Sequence, residues 1–152
     1  MNLIIAFLIV FALIIVFRLG LDLYLFWRRW AATRPLKNEK ILHEIDGVSI
    51  HILADKTVNS IVQEGRPIRS EGRLVVTDTR VLLASSQGRV LEISHEQPGS
   101  VKALGGRRLI LLGRHPTGKA RMRVELVIEE EKIWEDRINQ LFIRLGIEPE
   151  RF

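Results

Sequence analysis

The chain predicts an amino-terminal transmembrane α-helix followed by a small, mainly-β barrel closed by one carboxyl-terminal α-helix. Three observations carry this expectation. Residues 3–17 hold no charge, whereas residues 31–152 hold 20 of the 23 Lys and Arg and 17 of the 18 Asp and Glu. Short apolar runs broken by turn residues fill the chain from 41 to about 128. From Trp134 onward the apolar period changes to helical spacing.

The first element rests on Leu3–Phe17, fifteen consecutive apolar residues. As a helix they cover roughly 22 Å, short of a hydrocarbon layer of about 30 Å. After a break, apolar and aromatic residues continue to Trp27, which makes the helix long enough to cross. The break holds Arg18 and Asp22, four residues apart and so on one helical face. Snorkelling of Arg18 with local neutralisation by Asp22 is one reading; contact with a partner helix in the membrane is the other. Arg28, Arg29, Arg34, Lys37 and Lys40 follow the span, so the positive-inside rule puts the carboxyl side in the cytoplasm and the amino terminus outside. Tyr24, Trp27 and Trp30, with Arg28 and Arg29, suit the membrane interface. An uncleaved anchor in the cell (inner or plasma) membrane is expected over 1–30, because Ala31–Ala32–Thr33 behind two arginines is a poor cleavage site.

Arg34–Pro35 ends the helical stretch, and residues 31–40 read as a juxtamembrane linker. The domain proper is expected over 41–146, with 147–152 as a tail. Its 122-residue context from position 31 is large enough to bury one core. The expected strands are Ile41–Ile45, Val48–Leu53, Val58–Val62, Leu74–Thr77, Arg80–Ser85, Arg89–Ile93, Val101–Leu104 and Arg107–Leu112. Asp46–Gly47, Gln87–Gly88 and Gly105–Gly106 read as turns joining antiparallel neighbours. Ala120–Glu129 alternates: Met122, Val124, Leu126 and Ile128 face one way, and Arg121, Arg123, Glu125 and Glu129 the other. Trp134, Ile138, Leu141, Phe142 and Leu145 then mark one face of a helix. Acidic residues 129–131 suit its first turn, and Gly146 with Pro149 stops it.

The stretch Glu71–Gly–Arg–Leu–Val–Val–Thr–Asp–Thr–Arg–Val–Leu–Leu83 resembles the signature hairpin of GRAM and bacterial pleckstrin-homology-like (PH-like) domains. In those families a strand ending in Thr–Asp or Thr–Asn turns through Arg into a second apolar strand, and a Trp-bearing helix closes the domain. The resemblance covers roughly residues 41–145. It implies about seven antiparallel strands in a strongly bent barrel capped by one helix. It implies fold rather than function, because this scaffold hosts lipid, peptide and protein binding alike.

Catalytic motifs are weak. There is no cysteine, which excludes disulfides, Cys-zinc sites and thiol nucleophiles. Gly113–Arg–His–Pro–Thr–Gly–Lys119 matches GxxxxGK, but the magnesium-binding Ser or Thr is replaced by Ala120, and a strand follows where a phosphate-binding helix is needed. His43, His51, His95 and His115 show no metal spacing. Ser85–Ser86 lacks the glycines of a nucleophile elbow. Glu129–Glu130–Glu131 with Glu135 and Asp136 reads as a solvated first helical turn. No catalysis, cofactor, metal or small-molecule substrate is expected.

Charge segregation is the more informative signal. Residues 97–124 carry Lys102, Arg107, Arg108, Arg114, Lys119, Arg121 and Arg123 with no carboxylate, while 125–136 carry six carboxylates and one lysine. The basic stretch is a candidate patch for anionic lipid headgroups or for an acidic face of a protein partner. Nucleic acid is not expected, since the aromatics lie in the anchor and core. Together these features lead to the expectation of a non-catalytic single-pass protein. It is an accessory or assembly subunit of a larger membrane protein complex, with a membrane-tethered anionic-lipid-binding module as the alternative.

Overall fold

The structure, a computed structural model, describes residues 2–54, 68–117 and 121–151. Helix α1 spans Asn2–Ala32, and it is long and apolar enough to cross a membrane. Its side chains from Leu3 through Tyr24 are exposed. Seven strands follow: β1 Ile41–Ala54, β2 Ile68–Thr77, β3 Arg80–Ser85, β4 Gly88–Ser94, β5 Ser100–Gly105, β6 Arg108–Arg114 and β7 Arg121–Val127; helix α2 spans Glu131–Leu145.

The strands form one antiparallel sheet in the order β4-β3-β2-β1-β7-β6-β5. Pairing of Glu92 with Arg114 joins β4 to β6 and closes a six-stranded ring, leaving β5 outside it on β6 alone. This is the expected barrel, with two changes in its turns. Asp46–Gly47 is not a hairpin turn. Gly47 takes a positive φ of 75° at a register shift, so one long strand bends there instead of ending. Only glycine adopts that conformation at little cost, which makes the pair a bulge within a continuous ladder. The second hairpin is shifted by one residue. Gly106 and Arg107 (φ 63° and 66°) form the turn, so β6 starts at Arg108. The expected strand Val58–Val62 lies outside the described residues.

The core alternates as the sequence implies. Ile50, Leu74, Val76, Val81, Leu83, Leu91, Ile93, Leu109, Leu111, Val124 and Leu126 fill the barrel. Helix α2 lays Trp134, Ile138, Leu141 and Phe142 across one end, chiefly against β5 and β6. Truncating such a buried aromatic typically costs about 3–5 kcal/mol. The helix stops where Gly146 turns left-handed (φ 65°). There the Gly146 and Ile147 amides donate to the Ile143 and Phe142 carbonyls, and Ile147 folds into the core.

One part of the barrel is buried on both faces. Val75, Leu82 and Ala84 point away from the interior, yet each has 0% exposure. The outer faces of β2 and β3 are therefore covered. Among the described residues, the segment hydrogen-bonded across them is the end of α1 with residues 33–40.

Candidate functional site: a charged clasp between the first helix and the barrel

Residues expected as a linker form a strap whose anchor is Glu39. Its carboxylate accepts five hydrogen bonds. Oε1 accepts from Thr77 Oγ1 at 2.8 Å, Thr79 Oγ1 at 2.5 Å and Arg80 Nε at 2.7 Å; Oε2 accepts from Arg80 Nη2 at 2.9 Å and the Leu36 amide at 2.8 Å. The side chain is only 2% exposed, and that of Arg80 10%. Arg80 meets it as a two-pronged fork, the strongest geometry for this pair. Next to it, Lys40 and Asp78 exchange two bonds: the Asp78 amide to the Lys40 carbonyl, and the Lys40 amide to Asp78 Oδ1, both 3.0 Å.

The electrostatics follow from this packing. Burial pushes the Glu39 carboxyl up, but the donors from Arg80, Thr79, Leu36 and Thr77 outweigh it and bring its pKa to about 2. The Glu39 carboxylate likewise raises the pKa of Arg80 against the opposing effect of burial, with Glu92 adding to the rise. Both groups stay charged at neutral pH.

The network continues to α1. Arg80 Nη1 donates to Glu92 Oε1 at 3.2 Å, and Arg89 Nη1 to Glu92 Oε2 at 3.0 Å. Arg89 Nε then donates to the Ala32 carbonyl at 3.0 Å, one of the last carbonyls of α1 left without a partner in the helix. On the same side, Arg29 Nη1 donates to Glu71 Oε2 at 2.9 Å, and its Nε lies 3.4 Å from Asp46 Oδ1. Thr33 Oγ1 donates to the Arg29 carbonyl at 3.0 Å and is buried. The end of α1 is thus held to β1, β2 and β4 by side chains, and the strap that follows it is held to β3 through Arg80.

The structure distributes the sequence-derived candidates unevenly. Arg18 and Asp22 are exposed on α1, and no ion pair joins them among the described residues. Tyr24, Trp27 and Trp30 are exposed too. Arg28 lies over the Tyr24 ring and reaches the Gln87 carbonyl at 3.4 Å. Arg29, expected at the membrane interface, is only 8% exposed and belongs to the clasp.

The basic stretch is divided. Lys102, Arg108, Arg114, Arg121 and Arg123 stand exposed on β5, β6 and β7. Arg114 and Arg121 are register partners. Arg121 is already paired with Glu150 at 2.9 Å, and Arg107, at its turn, with Glu129. Arg108, Arg114 and Arg123 have no ion pair among the described residues. Lys119 lies outside the described residues.

Glu39 was missed by the sequence reading, because one acid in a polar stretch carries no pattern. A signal did exist elsewhere. Val81–Leu–Leu–Ala84 and Leu74–Val–Val76 do not alternate, which marks strands covered on both faces and requires something to lie over them. The Thr77–Asp–Thr–Arg80 turn that carried the family resemblance is the receptor for that cover: all four residues bind the strap.

No protein-family model matches the chain, and no curated protein matches it. Fifteen chains of solved structures are similar. One is the human RhoA complex with a DH/PH fragment of PDZRHOGEF, at 13% identity and a TM-score of 0.44. That match covers 72% of this chain, which spans 30% of the other.

Proposed function

We propose that this chain is a non-catalytic single-pass membrane protein of the GRAM or bacterial PH-like kind. In this reading it is an accessory or assembly subunit of a larger membrane protein complex, with its amino terminus outside and its barrel in the cytoplasm. The clasp is the observation that carries the proposal. A module that only samples lipid works from a flexible tether. A barrel fixed by Arg29, Glu39, Arg80 and Arg89 presents one face at one height and one direction from its helix, as a stoichiometric subunit requires. The test is gentle-detergent purification of the full chain through a carboxyl-terminal tag, followed by native mass analysis. A fixed stoichiometry with a larger assembly is expected, and its loss in Glu39→Gln with Arg29→Ala. A lone monomer sinks the proposal.

Arg108, Arg114 and Arg123, exposed and without ion pairs among the described residues, favour a second reading: a tethered binder of anionic headgroups, each cation contributing on the order of 1 kcal/mol. That reading expects co-purifying anionic phospholipid that Arg108→Ala with Arg123→Ala removes. Identical lipid content in wild type and variant rejects it.

A further inference from the structure

Helix α1 has two unlike sides, and the clasp fixes which is which. At about 100° per residue, Phe11, Arg18, Asp22 and Arg29 fall within about 20° of one line along the helix, with Phe7 and Leu25 about 40° to one side. Arg29 points this strip at the barrel through Glu71 and Asp46. Leu25, on the strip, is already half-buried. Phe7 and Phe11 stack along it with ring centroids 6.4 Å apart. Tyr24, Trp27 and Trp30 lie about 100–160° away, with exposures of 52%, 59% and 43%. The aromatic belt thus faces lipid on the far side, and the only charges of the span face the barrel side.

The depth is also defined. Leu25 is the first half-buried side chain after Leu3, which puts the edge of the hydrocarbon near Tyr24, and the 20 residues back to Ile4 span about 30 Å. Arg18 then sits roughly 9 Å inside that edge and Asp22 roughly 3 Å. Among the described residues no ion pair joins Arg18 to Asp22, so the fork of guanidinium donors is left without a carboxylate at this depth.

We infer that a transmembrane helix of a different protein packs on this strip and ends above the barrel, placing a carboxylate opposite Arg18 and a hydrogen-bond donor or cation opposite Asp22. The inference rests on the subunit reading above and adds the direction, depth and chemistry of the contact. Charge complementarity selects the carboxylate, since Arg binds it with two parallel bonds. Continuity with the α1–barrel contact selects the side. A second copy does not fit, because a parallel copy facing this strip brings its own residues 25–32 into the space that the first barrel fills.

The chain has no cysteine, so a single introduced cysteine reports one position. Phe11→Cys and Ile15→Cys lie on the strip; Ile9→Cys and Leu13→Cys lie on the opposite side. Each full-length variant is labelled in its own membranes with a benzophenone maleimide, illuminated and blotted through the carboxyl-terminal tag. One discrete protein adduct is expected at Phe11→Cys and Ile15→Cys, at least tenfold weaker at the other two. Its cross-linked peptide should be a transmembrane segment containing Asp or Glu. Arg18→Leu should remove the adduct and Arg18→Lys restore it. Equal labelling around the helix, labelling confined to Ile9→Cys and Leu13→Cys, lipid adducts only, or an adduct of two 17.5 kDa chains overturns the inference. Native mass analysis of the same membranes separates the two failures. An assembly with far-side labelling rejects this inference alone, and a lone monomer rejects the subunit reading as well.

Discussion

Replacing Glu39 by Gln keeps the size of the side chain and removes its charge, leaving Arg80 facing an amide. Glu39 titrates near 2 in the folded chain against 4.5 as an ordinary carboxyl. That difference is equivalent to about 3 kcal/mol of stability at neutral pH. The sign is fixed by proton binding. The unfolded chain takes up the proton first, so the contribution is complete above about pH 4.5 and is lost as pH falls toward 2. A loss of about 3 kcal/mol also matches what breaking one side of a buried pair costs.

The measurement is urea unfolding of the full chain in mild detergent, followed by the far-ultraviolet signal of the barrel, at a series of pH values. Wild type should lose stability between pH 4.5 and 2. Glu39→Gln should start about 3 kcal/mol lower at pH 7 and show a flatter slope across that window. A double-mutant cycle with Arg80→Gln should return a coupling of at least 1 kcal/mol. The reasoning is refuted if Glu39→Gln is within 0.5 kcal/mol of wild type, or if it keeps the full acid slope.

Other expectations follow from single contacts. A Cβ on Gly99 would lie 2.2 Å from the Leu112 carbonyl oxygen, so Gly99→Ala should destabilise by roughly 2 kcal/mol or more in the same unfolding assay. Arg107 is left-handed in its turn, and its exposed pair with Glu129 is worth little. Arg107→Gly should therefore leave stability unchanged or raise it by about 0.5–1 kcal/mol, read as the urea midpoint. Burial, aided by Arg137, lowers the His43 pKa from 6.5, so stability should fall as pH drops below that value, and His43→Gln should remove this part of the slope. Arg29→Ala should loosen the helix against the barrel, and Arg29→Ala with Arg89→Ala further, seen as a progressively broader spin-label distance distribution between Leu23→Cys and Leu104→Cys.

The elements most legible in the sequence were those with a strong period. Arg121–Val127 alternates, Trp134–Leu145 recurs at helical spacing, and both formed as expected. The Asp46–Gly47 pair misled because a turn and a bulge draw on the same glycine conformation, and only the pairing of β1 with β2 across it distinguishes them. The clasp was illegible for a different reason. Glu39 meets Thr77, Thr79 and Arg80 some forty residues away, and such contacts leave no local period. The basic run was visible as charge, but Glu129 and Glu150, which neutralise two of its members, are brought in by the fold.

The long first strand has a consequence for biogenesis. β1 is hydrogen-bonded to β2 on one edge and, from Ser49, to β7 on the other, so the seam waits for Val127 to leave the ribosome. By then α1 has been available to the bilayer for most of synthesis, and contacts so distant along the chain form slowly. A nascent molecule therefore spends time with α1 complete and the barrel unsealed, leaving one edge of β1 open. Under the proposed subunit reading, a helix able to engage Arg18 and Asp22 would meet α1 in that interval. In that reading, pairing within the bilayer would precede closure of the barrel, and the order of the chain would set the order of assembly.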